Sequence, residues 1–271
     1  FAPSVDTAGV FAQDVGGVAA AAAVLDGTPL PVPGVAPPDG VGLRPHGVAA
    51  SAGAKLRPPR PAVPPPDLDA ARLPVLGVPE GPYLEQAEPE GLTLFAAQLA
   101  LLGAAGYRIR RLPFPEDIGK VNARHRALIA GEVARAHAGW FAAYSHLCRP
   151  RTVAVIRQGQ QVDERELCAA RAGRARLRRR LHDAMAAAGV EVWVSPAARG
   201  PAPAGLATTG DPIMNLPWTH AGLPALSLPA ARAANGLPVG LQCVAAMGAD
   251  AQLLYWGRGL QQALQATASS A

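Results

Sequence analysis

Apolar positions after residue 72 follow two different periods, and their order predicts a strand, a helix and a second strand. Residues 73–79 are a short apolar run, which is typical of a buried strand. Over residues 90–106 the large apolar side chains recur at spacings of three and four, which predicts an amphipathic helix ended by Gly106. The apolar face of this helix consists of Leu92, Phe95, Leu99 and Leu102. Residues 107–115 predict a strand, and the three blocks together predict a β-α-β unit with parallel pairing.

The rest of the chain predicts a second set of helices and strands. Helical periods extend over residues 118–147 and 163–188. In the second of these helices Asp163 is the expected N-cap, with Glu166 three residues later, and Gly189 is the expected terminating residue. The further predicted elements are strands over 190–196, 224–230 and 239–245, a turn at 235–236 and a helix over 249–266. The expected fold class is α/β, with a mixed β-sheet flanked by helices.

A proline-rich stretch between residues 28 and 66 interrupts this pattern. It contains twelve prolines and almost no large apolar side chain. Because proline lacks a backbone donor and has a fixed φ, neither a packed helix nor a central strand is expected there. We therefore divide the chain into a segment 1–27, a Pro-rich linker or surface excursion 28–72, and an α/β region 73–271.

Composition narrows the class of protein. Of the 271 residues, 49% are hydrophobic, which is enough to build a packed core. The longest uncharged apolar run near the start, 15–25, is too short to span a membrane, and we expect no membrane association. Cys148, Cys168 and Cys243 are scattered along the chain, which favours reduced thiols and a cytoplasmic location over disulfides or a zinc site.

The formal net charge is +5, and much of the excess lies in an arginine-rich run over residues 171–182. On a helix, Arg171, Arg174 and Arg178 share one face, while the leucines of the same helix point towards the core. No aromatic residue on which a base could stack lies within this run. We interpret the arginines as a solvated or acid-paired helix face and predict no nucleic-acid partner.

The residue types that perform covalent catalysis do not form a recognisable set. No G-x-S-x-G nucleophile motif is present, and the serines are isolated from one another. Lys55 lies in the Pro-rich stretch and Lys120 on a polar helical turn, so neither is expected to be a desolvated base. The histidines lack the spacing of metal ligands. The residues themselves therefore predict no catalytic residue and no metal site.

The segment from Ser195 to Gln242 has the highest density of side chains able to bind a ligand. A strand ends at 195–196, a loop of small residues follows, and in α/β proteins such loops commonly build the pocket. An aromatic ring beside polar groups suits a small polar ligand. The candidate substrate-binding residues lie within ten positions of one another: Asp211, Asn215, Trp218, Thr219 and His220. The alternative is a capped loop in which the Asp and Asn side chains satisfy their own backbone.

This segment resembles the C-terminal part of the amidase-signature family. The resemblance rests on NLPWTHAGLPALSLPA (215–230) and NGLPVGLQ (235–242), and on the opening PSVDTAGVFAQDV (3–15), which is similar to the stretch after the family's catalytic core. It implies an amidase-like domain that is incomplete at its N-terminal side. The implied activity is hydrolysis of amide C–N bonds through an acyl-serine, without a metal or cofactor. The five candidate residues would border the acyl pocket for a small amide or carboxylate substrate.

The resemblance also implies an absence, because the family's catalytic Ser-Ser-Lys set precedes the turn at Asp6-Thr7. We therefore carry over no catalytic residue and expect a fragment that is inactive alone, with unpaired strand edges and an uncovered apolar part of the sheet. Gln13 and Gly17 stand where the family favours an arginine and an acid. The motif TGDPIMNLPWT at residues 209–219 favours small-amide amidases over the tRNA-dependent amidotransferase subunit. The open alternatives are a non-catalytic small-molecule binding protein derived from an amidase and a subunit of a tRNA-dependent amidotransferase. The oligomeric state is also open, with a homo-oligomer as one option.

Overall fold

A computed structural model of the chain describes residues 2–26 and 72–266. The helices are α1 Val15–Asp26, α2 Pro89–Ala104, α3 Ile118–Tyr144, α4 Pro150–Gln160, α5 Glu164–Ala188, α6 Leu216–Ala221 and α7 Asp250–Gln265. The strands are β1 Leu76–Glu80, β2 Ile109–Pro113, β3 Val192–Pro196, β4 Ala225–Arg232 and β5 Pro238–Ala245. Short 3₁₀ helices cover Gly81–Gln86, Ser145–Leu147 and Pro212–Met214. The expected Pro-rich linker lies, up to residue 71, outside the described residues, so the division of the chain into three parts stays a prediction.

In the described residues the strands form one mixed sheet in the order β2-β1-β3-β5-β4. Strand β1 runs parallel to β2 and to β3, whereas β5 runs antiparallel to β3 and to β4. The parallel strands β1 and β2 are connected through α2, which confirms the predicted β-α-β unit. The predicted fold class, α/β with a mixed sheet flanked by helices, is also confirmed.

Helices cover most of both sheet faces. On one face α2 and α7 pack against the sheet around buried residues such as Leu102, Val194 and Leu260. On the other face α5 and α6 pack around Trp193 and Trp218. These two cores hold most of the large apolar side chains of the described strands, which are therefore shielded from solvent.

The sheet is not closed at its ends. Within the described residues β2 and β4 are edge strands with one strand partner each. In β4 the buried residues Leu226 and Leu228 alternate with exposed Ala225, Ser227 and Pro229. The expected open edges are thus present among the described strands. The expected uncovered apolar part of the sheet is not present at β4, because the exposed positions of β4 carry small side chains.

A third core lies among helices. Helices α3, α4 and α5 pack around Leu128, Ile156 and Leu167. The sequence pattern leaves α4 unassigned, since its residues 152–156 are rich in β-branched side chains that favour strands. The structure forms a helix there because α4 packs closely on α3 at Gly159. A Cβ atom at this position would lie 1.8 Å from the carbonyl oxygen of Ala130, so a larger residue would separate the two helices.

The helix ends follow the signals in the sequence. Asp163 Oδ1 accepts a hydrogen bond from the backbone N–H of Glu166 at 2.7 Å, as the N-cap of α5. Gly189 after α5 has a φ of 58°, and Gly106 after α2 has a φ of 91°. Glycine adopts these left-handed values without strain, so both helices end where the sequence predicts. Strand β3 begins at Val192, three residues after Gly189. The end of α5 therefore sets where β3, and the segment that follows it, begin.

Candidate functional site

The candidate site begins in the segment that connects β3 with α6. Asp211 is exposed, and its Oδ1 accepts a hydrogen bond from the backbone N–H of Ile213 at 3.0 Å. Asn215 is half-buried, and its Nδ2 donates to the carbonyl oxygen of Ala197 at 3.2 Å. Asp211 therefore satisfies its own backbone, as in the capped-loop interpretation. Asn215 instead ties the start of α6 to the loop after β3.

Trp218 belongs to a buried hydrogen-bonded network. Its indole Nε1 donates to the Tyr83 hydroxyl at 2.8 Å. The same hydroxyl lies 2.8 Å from the carbonyl oxygen of Met214 and 3.0 Å from Ser195 Oγ. Gln242 Nε2 donates to Ser195 Oγ at 3.1 Å. Because a carbonyl oxygen only accepts, the Tyr83 proton is best placed on the bond to Met214.

Burial makes this network a rigid support. Tyr83, Ser195, Trp218 and Gln242 are each at most 4% exposed. Burial also raises the pKa of the Tyr83 hydroxyl, which therefore stays a neutral donor. Ser195 is isolated from the other serines along the chain, and no sequence motif singles out Tyr83 or Gln242. The sequence does contain one signal for this network, which is Gln242, a polar residue inside the otherwise apolar strand VGLQCVA. A buried polar group needs a hydrogen-bond partner.

His220 is fully buried beside a second histidine. Its ring lies 5.6 Å, centroid to centroid, from that of His125 in α3, in an edge-to-face arrangement. Both ring nitrogens of His220, and Nδ1 of His125, have no hydrogen-bond partner among the described residues. Burial is the main cause that lowers the pKa of His220 to about 3 and that of His125 to about 4, and nearby positive charges add to it. Both imidazoles are therefore neutral at neutral pH.

Arginines of α5 hold the C-terminal end of α6. Arg174 Nε donates to the carbonyl oxygen of His220 at 3.0 Å, and Arg178 Nε donates to that of Ala221 at 2.7 Å. The last carbonyls of a helix lack intrahelical partners and carry partial negative charge, so a cation is favourable there. Arg171 pairs with the buried carboxylate of Glu132 at 2.9 Å. The arginine face is thus acid-paired at Arg171, as predicted, but at the other two positions it caps a helix.

The structure brings the five candidate residues into one short stretch and gives them different environments. Trp218 and His220 are buried, whereas Asn215 and Thr219 are half-buried and Asp211 is exposed. The side chains that a ligand could reach are therefore those of Asp211, Asn215 and Thr219. Substrate binding by any of the five stays a prediction.

Of the two lysines of the chain, the described residues include Lys120. Lys120 forms an ion pair with Asp117 at 3.7 Å, and its side chain is 78% exposed.

In the part of the chain that the structure describes, no group of three or more His, Cys, Asp or Glu side chains could hold a metal ion. Nor does any helix in residues 2–26 and 72–266 combine the length and the apolar character that crossing a membrane requires.

Comparison with solved structures identifies the class of fold. A crystal structure of an amidase is 26% identical in sequence and has a TM-score of 0.75, with 96% of this chain and 53% of that chain covered. A structure described as a vestigial protein complex that reveals the origins of an s-triazine catabolic enzyme is 21% identical, with a TM-score of 0.69, covering 98% and 55%. A 6-aminohexanoate cyclic dimer hydrolase is 19% identical, with a TM-score of 0.65, covering 94% and 54%. The last two show the fold alone.

The family model described as Amidase matches residues 1–254. The chain therefore belongs to the amidase family, the amidase-signature enzymes that the sequence motifs indicate. No curated protein sequence gives a significant match. The chain spans about half the length of the solved structures that it resembles.

Proposed function

We propose that this chain forms the pocket-bordering part of a hydrolase that cleaves amide C–N bonds. The observation that carries the proposal is the match of the amidase family model to residues 1–254. The 26% identity with an amidase structure supports it. We infer that the substrate is a small amide, that the product is a carboxylate, and that both bind beside Asp211, Asn215 and Thr219. Trp218 and His220 are buried and support this stretch from the core side.

The accessible side chains of the stretch suit such a substrate. A primary amide presents one acceptor oxygen and two N–H donors, and a carboxylate, an amide and a hydroxyl side chain supply complementary groups. The Tyr83 network holds the stretch in place, since Trp218 bonds to it inside the core. A stretch that is already ordered reduces the entropy lost on binding.

We also propose that residues 1–271 alone do not hydrolyse amides. Acyl-serine chemistry needs a nucleophile beside a base that accepts its proton. Ser195 is buried and bonded to Tyr83 and Gln242, while Lys120 is exposed and paired with Asp117. Neither group is placed to attack a substrate. We therefore infer that the nucleophile and base lie outside the residues that the structure describes.

An activity assay tests the catalytic part of the proposal. The purified chain is incubated with a panel of fluorogenic amides, and we expect no turnover above the uncatalysed rate. Clear turnover by the pure chain would contradict the proposal. Replacing each serine in turn would then show whether that turnover uses an acyl-serine.

Titration with propionamide and propionate, followed by NMR, tests the pocket separately. We expect shifts of the backbone amide signals of residues 211–219, and weaker shifts in Thr219→Val. The matched control is Thr93→Val, whose hydroxyl bonds to the carbonyl oxygen of Pro89 on the exposed side of α2. This control should respond as the unchanged chain does. A lack of shifts in residues 211–219, or equal weakening in both variants, would refute the pocket assignment.

A further inference from the structure

The contact between His125 and His220 joins α3, α5 and α6 at one buried point. The two side chains are 1% and 0% exposed. Helix α5 comes close at Gly173, where a Cβ atom would lie 3.4 Å from His220 Nε2 and 3.1 Å from Arg124 Nε. Buried polar atoms without a partner among the described residues include both His220 nitrogens and Arg124 Nε. Such atoms normally find partners, so their clustering marks a point where the packing is easily disturbed.

The charges around the two rings are mostly positive. The titratable and charged groups that face the pair or the end of α6 are Glu116, Arg124 and Arg126 at α3, and Arg174, Arg176 and Arg178 on α5. The Pro212–Met214 turn, which also contacts α6, contributes no charged side chain. Glu116 pairs with Arg124 and lies 3.9 Å from Arg176 Nε, so it offsets part of this charge. A protonated imidazole here would thus face several cations and one carboxylate.

We propose that the His125–His220 pair is an acid-sensitive latch, which holds α6 against α3 and α5 while both rings are neutral and releases it when either ring gains a proton. Protonation would place a buried cation beside Arg124, Arg174 and Arg176. Release of α6 lets water hydrate the charged ring and separates it from the arginines.

The arginine contact at the end of α6 explains why this helix is the element that is released. Arg174 donates to the carbonyl oxygen of His220, so the cation that fixes the end of α6 also faces the ring of the same residue. A proton on His220 therefore opposes a bond that holds its own helix. Helix α6 is only six residues long and depends on such tertiary contacts for its stability. Its movement would displace Asn215 and Trp218, and with them the candidate site.

The expected size of the effect follows from proton linkage. In the released form a histidine titrates near its ordinary value of about 6.5, whereas in the closed form it stays neutral to much lower pH. The equilibrium constant for release therefore rises about tenfold per pH unit for each histidine below that value. Between pH 7 and pH 5 this amounts to roughly 30-fold for one ring.

Hydrogen exchange of the full chain tests the latch without reference to amide hydrolysis. The protection of residues 215–222, corrected for the intrinsic pH dependence of exchange, is measured at pH 7, 6 and 5. We expect it to fall about 30-fold or more by pH 5. The double variant His125→Phe with His220→Phe keeps two planar rings and removes both proton acceptors, so its protection should change much less. His146→Phe, at an exposed position of the 145–147 turn, should behave as the unchanged chain does.

The two single variants cover the case in which the double variant fails to fold. His125→Phe and His220→Phe each keep one titrating ring, so each should show an acid effect of about 30-fold by pH 5, smaller than that of the unchanged chain. Protection that stays constant from pH 7 to pH 5 in the unchanged chain would overturn the proposal. So would an equal acid effect in the single variants and in the unchanged chain, or NMR signals of both histidines that titrate near pH 6.5 while α6 stays protected.

Discussion

At the scale of single residues, Gly159 sets how closely α4 approaches α3. Replacing it with alanine would place a Cβ atom 1.8 Å from the carbonyl oxygen of Ala130, so the helices must separate. We expect Gly159→Ala to lower the free energy of unfolding by about 2 kcal/mol or more. The matched control is Gly139→Ala in α3, where a Cβ atom meets nothing within 4 Å. That variant should be about 0.5 to 1 kcal/mol more stable, since alanine favours helix. Urea unfolding measures both, and effects of the same sign would contradict the close contact.

Tyr83 offers a second test at the same scale. Tyr83→Phe removes the hydroxyl that accepts from Trp218 Nε1 and donates to the carbonyl oxygen of Met214. It leaves the buried indole N–H unpaired, whereas the carbonyl oxygen keeps a bond from Gln242 Nε2 at 3.4 Å. We expect a loss of about 2 kcal/mol in the free energy of unfolding. Tyr144→Phe removes a hydroxyl from a residue that is 55% exposed, and it should change little. Equal urea midpoints for the two variants would show that the network does not stabilise the fold.

At the scale of elements, the N-cap of α5 gives a direct prediction. Asp163→Ala removes the acceptor for the Glu166 N–H and should cost about 1 kcal/mol in the free energy of unfolding. Asp183→Ala changes an exposed aspartate in the interior of the same helix, where the loss of a poor helix former is neutral or slightly stabilising. Circular dichroism during thermal unfolding compares the two, and a larger loss in Asp183→Ala would contradict the assigned cap.

Most elements could be predicted from the sequence because their signals are local. The helical period of α2, the terminating glycine of α5 and the turn before β5 each depend on neighbouring residues alone. Gly236 in that turn has a φ of 80°, which its Asn-Gly sequence favours. Helix α4 could not be predicted in this way. Its β-branched residues favour a strand, and its helical state depends on packing against α3.

The candidate site was harder to predict for a similar reason. Asp211, Asn215 and Trp218 are neighbours in sequence, so their density identifies the stretch. What each side chain does depends on distant partners. Trp218 bonds to Tyr83 across 135 positions, and His220 meets His125 of another helix. No period or spacing in one sequence encodes such pairs, so the burial of Trp218 and His220 emerges only from the fold.

At the scale of the whole molecule, the two buried histidines make stability depend on pH. Because burial lowers their pKa values to about 3 and about 4, the folded state favours neutral rings. Their contribution is therefore complete above the ordinary value of about 6.5 and is lost as the pH falls towards the folded values. Each ring costs about 1.4 kcal/mol per pH unit, or about 2 kcal/mol at pH 5. Urea midpoints at pH 7, 6 and 5 should thus decrease steadily.

A second buried group separates this prediction from ordinary acid unfolding. Burial of Glu132 opposes its ionisation, but hydrogen bonds from Ser4 and the ion pair with Arg171 outweigh it and lower the pKa of the carboxyl. Its contribution is complete above the ordinary carboxyl range and is lost only as the pH falls below it. The histidine effect therefore begins near pH 6.5 and continues towards the folded values of about 4 and 3, whereas the glutamate effect begins only below about pH 4.5. Of these groups, only the histidines act in the window from pH 7 to 5. A double variant, His125→Phe with His220→Phe, should flatten the upper window and keep the lower one. If stability is constant down to pH 5 in the unchanged chain, the two rings are not buried as neutral groups.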